Sequence, residues 1–210
     1  MEAILKLTQS YIRRTLIMCF AIFIMGLGIA LFKISLMGND PCSAFVMAMA
    51  AKAGLSFSVT MISVNCIFFI FEFLRGRRYI GIGTLVNWLL VGPFTDFYTS
   101  ALQSIWTIPE DFLSRLPLML SGILILSLAA SMYQTADVGI APYDSLSIML
   151  ADSLPVPYFW CRMFTDSLCA IGAFAFGGII GLGTFICAIG LGPFIHFFDL
   201  HISRKLCGIQ

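Results

Sequence analysis

The sequence predicts an all-α integral membrane protein of six transmembrane helices and two short re-entrant or half-helices, built as two inverted three-span repeats. Composition, the lengths of the apolar runs and an internal duplication predict it. Of 210 residues, 60% are hydrophobic, 11% are charged and 20 are Phe; mean hydropathy is +0.97. Soluble domains carry roughly a quarter charged residues. Twelve bases and 11 acids cannot cover a water-soluble surface around so much apolar side chain. A net charge of +1 without a basic stripe excludes nucleic acid as a partner, and the lipid bilayer is the partner the composition implies.

A bilayer core takes about 20 residues of helix to cross. Six runs qualify: 15–36, 57–74, 79–104, 114–133, 158–178 and 179–199. The first follows Lys6, Arg13 and Arg14, exceeds a secretory signal core in length and lacks a small-x-small cleavage site, so it reads as a span. Two further apolar stretches, 42–53 and 143–153, are too short to cross. Each begins just after a proline, Pro41 or Pro142, at the helix position where the missing N–H has no partner to lose. Each is a half-helix or re-entrant candidate.

The basic residues favour this count. With the short segments not crossing, Lys6, Arg13, Arg14, Arg75, Arg77, Arg78, Arg204 and Lys205 share one side, with Arg162 near it. Lys33, Lys52 and Arg115 fall opposite, the last beside Glu110 and Asp111. Lys and Arg accumulate in cytoplasmic loops, which places both termini inside. Trp106 and Tyr158 fall near the interfaces, where amphipathic rings are comfortable.

The chain also repeats itself. Gly38-Asn39-Asp40-Pro41 matches Gly139-Ile140-Ala141-Pro142, Gly81-Ile82-Gly83-Thr84 matches Gly181-Leu182-Gly183-Thr184, and Gly92-Pro93-Phe94 matches Gly192-Pro193-Phe194. Between 81–97 and 181–197, seven of 17 positions are identical. Chance likeness between apolar helices shares Leu, Ile and Val rather than Gly, Pro and Thr in register. The repeats are 1–104, with the short helix 42–53, and 105–210, with 143–153. Three spans per half is an odd number, so the halves lie in opposite orientation, the plan of many secondary transporters. The spans 79–104 and 179–199 are expected to face each other near the axis, packed through glycines and kinked or broken at Pro93 and Pro193. The doubled pattern of a G-x-x-P turn, G-[IL]-G-T and G-P-F resembles the YczE/YitT-like family of small bacterial integral membrane proteins, over nearly the full chain. That resemblance implies the bacterial cytoplasmic membrane and carries over no catalytic residue.

Polar side chains within spans point to chemistry, because a charge at mid-bilayer costs about 2.5–3.5 kcal/mol even on the lenient scale. Asp166 lies mid-span, with Arg162 one turn earlier at a spacing that lets the two side chains meet. The pair is either a self-neutralising buried ion pair or part of a site. Asn65 is the repeat equivalent of Asp166, so a site straddling the two halves is the functional reading. The short helices add two N-termini, where unpaired N–H groups and the helix dipole act, with Ser43 and Asp144 at equivalent places in their first turns. Asp144 either caps its own helix or turns that end toward a cation, an amine or a proton. Asn87 completes the binding candidates, and His196 with its equivalent Asp96 is a candidate proton relay, unless His196 is simply solvated near the interface. Glu72 reads as a surface partner of Arg75, Arg77 and Arg78.

The seven cysteines form no C-x-x-C pair and read as packing residues. No G-x-x-x-x-G-K-[ST], H-E-x-x-H or G-x-S-x-G occurs, and there are two histidines in all. The expectation is therefore not an enzyme, with no cofactor and no metal. It is a small secondary transporter or permease for a small molecule or ion, with its site between the halves. The alternatives are a substrate-binding component of a larger transport complex, or a channel or accessory membrane protein. A homo-oligomer or a partner transport subunit remains open.

Overall fold

The computed structural model describes residues 2–105 and 111–208, with side chains from residue 9. Trp106, Glu110 and the side chain of Lys6 lie outside the described residues. The chain forms α1 (Glu2–Ser35), α2 (Pro41–Ala53), α3 (Phe57–Arg75), α4 (Ile82–Ile105), α5 (Phe112–Ala136), α6 (Pro142–Ser153), α7 (Tyr158–Ala175), α8 (Leu182–Phe198) and α9 (Arg204–Cys207). A π-helical turn, Asp199–Ser203, joins the last two. No strand occurs among the described residues.

Local chemistry sets the helix starts. Pro41 and Pro142 open α2 and α6. The Asp40 carboxylate caps α2 by accepting from Ser43 N at 3.0 Å, and Asp111 caps α5 by accepting from Ser114 N at 3.2 Å. The Ser114 hydroxyl adds a second bond at 2.6 Å, and these donors hold the Asp111 carboxyl below its usual range. Ala141 stands at the N-cap of α6 and no side chain caps it, so Asp144 does not cap its own helix. Its carboxylate is taken by Arg162 instead.

Among the described residues, four helical stretches are long and apolar enough to cross a membrane: Gln9–Ser35, Phe57–Arg75, Phe112–Ala136 and Leu182–Cys207. The other two expected spans are helices as well, α4 of 24 residues and α7 of 18. Asn87 and Asp96 in the first, and Arg162 and Asp166 in the second, lower their hydropathy. In the last of the four apolar stretches only 11% of the most apolar window is buried within the protein. Phe185, Ile189 and Phe197 are among its exposed residues. An outward face of that composition is a lipid-facing one. This is an all-helical membrane protein.

The core forms where α1 and α5 meet. Met18, Ile22 and Phe32 of α1 interlock with Met119, Ile123 and Tyr133 of α5, each at most 2% exposed. α4 packs on α1 and α3, and α8 on α5 and α7. The expectation that 79–104 and 179–199 face each other is thereby corrected: they flank the central pair. Pro93 and Pro193 also break nothing, since α4 and α8 run through them. A proline removes one bond of the ladder, and a membrane helix tolerates that where neighbouring groups compensate.

The packing repeats with the sequence. α1–α4, α2–α3 and α3–α4 recur as α5–α8, α6–α7 and α7–α8, and each short helix crosses to the other half, α2 onto α7 and α6 onto α3. The glycine motifs explain the crossing. A Cβ at Gly81 would stand 2.3 Å from Val138 O, and one at Gly181 2.2 Å from Met37 O. Gly83 N–H donates to Val138 O at 2.9 Å and Gly183 N–H to Met37 O at 2.8 Å. Each G-x-G-T therefore receives the turn that leads into the other half's short helix. In those turns Gly38 and Gly139 take φ of +101° and +125°, a region L side chains avoid. At its far end α6 is tied by Asp152, which accepts from the Tyr79 hydroxyl and the Arg78 guanidinium. Those two donors hold the Asp152 carboxyl below the usual carboxylate range.

Candidate functional site

The first turns of α2 and α6 meet in one cavity of about 70 Å³. Its polar lining is Asp40, Ser43, Asn65, Asn87, Tyr143, Asp144 and Arg162, and its apolar lining includes Met25, Ile29, Leu126 and Leu191. α2 lies along α7, with Phe45 against Gly172 and Ala48 against Gly178. α6 lies along α3, with Tyr143 against Phe68 and Met149 against Gly76. Both short helices therefore run outward from the same interior point, in opposite halves.

Arg162 is the hub. Its guanidinium pairs with Asp144, reaches Asp166 through Nε at 3.3 Å and lies over the Tyr143 ring, 5.1 Å from the centroid. Asp166, 1% exposed, also accepts a 2.5 Å bond from the Tyr143 hydroxyl. Asp40 uses one carboxylate oxygen on its helix cap, while the other is buried without a hydrogen-bond partner. One guanidinium and two helix N-termini of about half a charge each face three carboxylates. With all three ionised, about one negative charge is left uncompensated, and a single proton on the buried Asp40 carboxyl balances it. Such a site suits a proton or a monovalent cation and repels an anion.

Arg162 also lines a second, open cavity of about 550 Å³ with Asp166, Gln134, Thr135, His196 and Asp199. A third, of about 600 Å³, opens among Lys33, Asn39, Phe57, Asp96 and Phe176 and shares no lining residue with the central one.

A sequence model of the family described as "Family of unknown function (DUF6198)" matches residues 12–200. The chain belongs to DUF6198. Among its relatives is an uncharacterized protein of Haemophilus influenzae, 27% identical over 190 residues, covering 90% of this chain and 84% of the relative. The uncharacterized membrane protein YczE of Bacillus subtilis is 26% identical over 191 residues, covering 88% and 87%. YyaS of the same organism, also uncharacterized, is 24% identical over 190 residues, covering 87% and 90%. No solved structure matches.

In this DUF6198 chain, most residues singled out from the sequence converge. Asn65, Asn87, Ser43, Asp144 and Arg162 share the central cavity, Asp166 adjoins through Arg162 and Tyr143, and Pro41 and Pro142 start the helices that point there. His196 and Asp96 are not brought together. His196 is exposed in the open cavity, whereas Asp96 accepts from Ser58 N at 2.9 Å and pairs with Lys33 at 3.7 Å. They form no continuous relay. Glu72 is not a surface partner of the arginines either: it is 0% exposed. Tyr143 and Asp40 escaped the sequence reading. The repeat alone could have flagged Tyr143, since it faces Cys42 at the equivalent position and both join one small buried cluster.

Proposed function

We propose that this protein is a small secondary transporter or permease of the bacterial cytoplasmic membrane. Six spans, two re-entrant half-helices and two inverted repeats make it up, with both termini cytoplasmic. It carries a small cation or amine, or exchanges one against protons, at the cavity where the half-helices begin. One observation carries the reading: two half-helix N-termini from opposite halves converge on a buried cluster in which a single guanidinium faces three carboxylates. Broken helices meeting at a polar interior point are the usual device of inverted-repeat transporters. The open cavity that shares Arg162 supplies access from one side. On the opposite side, the third cavity stops short of the site, as alternating access requires of a single state.

Two measurements test this. Reporters that work only in the cytoplasm should be active at both termini; a C-terminal reporter active only outside the cell would overturn the six-span topology and the inverted repeat together. A thermal-shift screen of the purified protein should find stabilising monovalent cations or small amines. A ligand at 100 times its Kd adds about 2.7 kcal/mol to stability. Stabilisation by anions alone would contradict the charge balance of the site.

A further inference from the structure

Glu72 lies on α3 and is wholly buried. Neither carboxylate oxygen receives a hydrogen bond. Its polar neighbour is Ser145 in the first turns of α6, and that hydroxyl gives its own proton to Pro142 O at 2.9 Å. Ser145 can accept a bond from Glu72 without giving up Pro142 O, and is the one donor that could turn toward it. A carboxylic acid donates to that hydroxyl oxygen directly, whereas a carboxylate has to take the donor from Pro142 O. A buried ionised carboxylate so short of donors is disfavoured. The repeat equivalent of Glu72 is Ala173, which is buried beside α2 without any charge. The acid is a feature of the α3–α6 joint alone.

We propose that Glu72 is a proton-binding site whose occupancy is linked to the docking of α6. With the proton on, α6 lies against α3, Tyr143 beside Phe68 and Met149 beside Gly76. With the proton off, the carboxylate needs water or a donor, and α6 must move to admit one. The first turn of α6 carries Tyr143 and Asp144, the two groups that hold Asp166 and Arg162. Proton release at Glu72 therefore loosens the central cluster from the α6 side. This rests on the transporter reading only in making the proton the coupling ion; the linkage itself does not need it.

Apart from Arg75, which is exposed, the other ionisable groups around the joint are engaged. On α6, Asp144 is held by Arg162, Tyr143 by Asp166, and Asp152 by Arg78 and Tyr79. On α4, Asp96 is paired with Lys33. On α2, Lys52 lies over the Phe176 ring, Asp40 caps its helix, and Cys42 packs with Tyr143 and Cys169. On α3 itself, Arg75 is at the last turn. Only Glu72 is buried with both oxygens unpartnered among the described residues.

The test is backbone hydrogen exchange of α6 in the full chain in nanodiscs, from mildly acidic to neutral pH, corrected for the intrinsic pH dependence of exchange. Opening of α6 should rise by up to about tenfold per pH unit above the ordinary carboxylate pKa of about 4.3, for as long as the docked state keeps its proton. Glu72→Gln keeps the shape and has no such proton, so its α6 should stay protected with a flat profile. Glu72→Met, which cannot ionise or hydrogen-bond, should also be flat. A flat wild-type profile, or variants that rise in parallel with wild type, would overturn the proposal. Infrared spectra give a second readout. A carboxylic-acid C=O band should be present at neutral pH in wild type and absent in Glu72→Gln; a band unchanged by the substitution rejects the assignment. Neither measurement needs a transported substrate. Failure of the ligand screen leaves these results standing, and a flat exchange profile leaves the transporter reading standing.

Discussion

Arg162→Gln should cost about 3–5 kcal/mol of stability, because it strips the cation from a buried cluster and leaves its acids unpaired. Asp166→Asn should cost far less and still abolish cation binding. The asymmetry follows from the geometry. Arg162 holds both Asp144 and Asp166. Losing Asp166 leaves the guanidinium with Asp144, and the Tyr143 hydroxyl can still donate to the amide oxygen of the new side chain. The expected loss is about 1.5–3 kcal/mol, that of a hydrogen bond to a charged group. Thermal unfolding in nanodiscs, with and without the cations found by ligand screening, reads both effects. The double variant Arg162→Gln with Asp166→Asn separates site from scaffold. It leaves Asp144 at the positive end of α6, where a carboxylate is tolerated, so much of the stability should return. If the cation-dependent shift returns as well, Asp166 is a structural partner and no coupling residue. If stability returns and the shift does not, Asp166 binds the cation.

The sequence carried the parts of this structure that backbone geometry imposes. Gly81, Gly83 and Gly181 had to be glycine because a carbonyl sits where a Cβ would be, and at Gly183 the Phe32 ring edge comes within 2.9 Å of that place. That need left a register visible across 100 residues of otherwise interchangeable Leu, Ile and Val. Arg162 and Asp166 were legible because they share one helix, so spacing alone predicts their meeting. What crosses between helices was not legible. Asp144 looked like a cap because nothing local says that α6 lies beside α7, where Arg162 waits. Glu72 looked like a surface acid because three arginines follow it, but the rotation of α3 turns it under α6 instead. The glycine helices were expected to meet each other for the same reason: a small-residue face declares close approach and does not say to what. Here the partner is a turn, and the helices that meet are α1 and α5.

Gly181→Ala should therefore be among the most damaging single changes, and Gly190→Ala on the same helix should be harmless or stabilising. The added Cβ at Gly181 would lie 2.2 Å from Met37 O and 2.5 Å from its carbonyl carbon. Both are backbone atoms, so no rotamer can clear them. Relief requires the turn before α2 to withdraw, which breaks the Gly183 N–H to Met37 O bond of 2.8 Å. Overpacking costs about 1–3 kcal/mol and the hydrogen bond about 0.5–1.5 kcal/mol more. At Gly190 the nearest atom to an added Cβ is the edge of the Phe194 ring at 3.5 Å, ordinary contact. Alanine there should gain about 0.5–1 kcal/mol from helix propensity. Gly81→Ala meets Val138 O at 2.3 Å and should lose nearly as much as Gly181→Ala. Unfolding midpoints of the three variants decide the matter. Equal losses at 81 and 181 with none at 190 mean that the two halves clasp each other through the same joint twice. A Gly181→Ala variant as stable as Gly190→Ala would mean that the turn before α2 moves freely, and that the start of α2 is not fixed by α8.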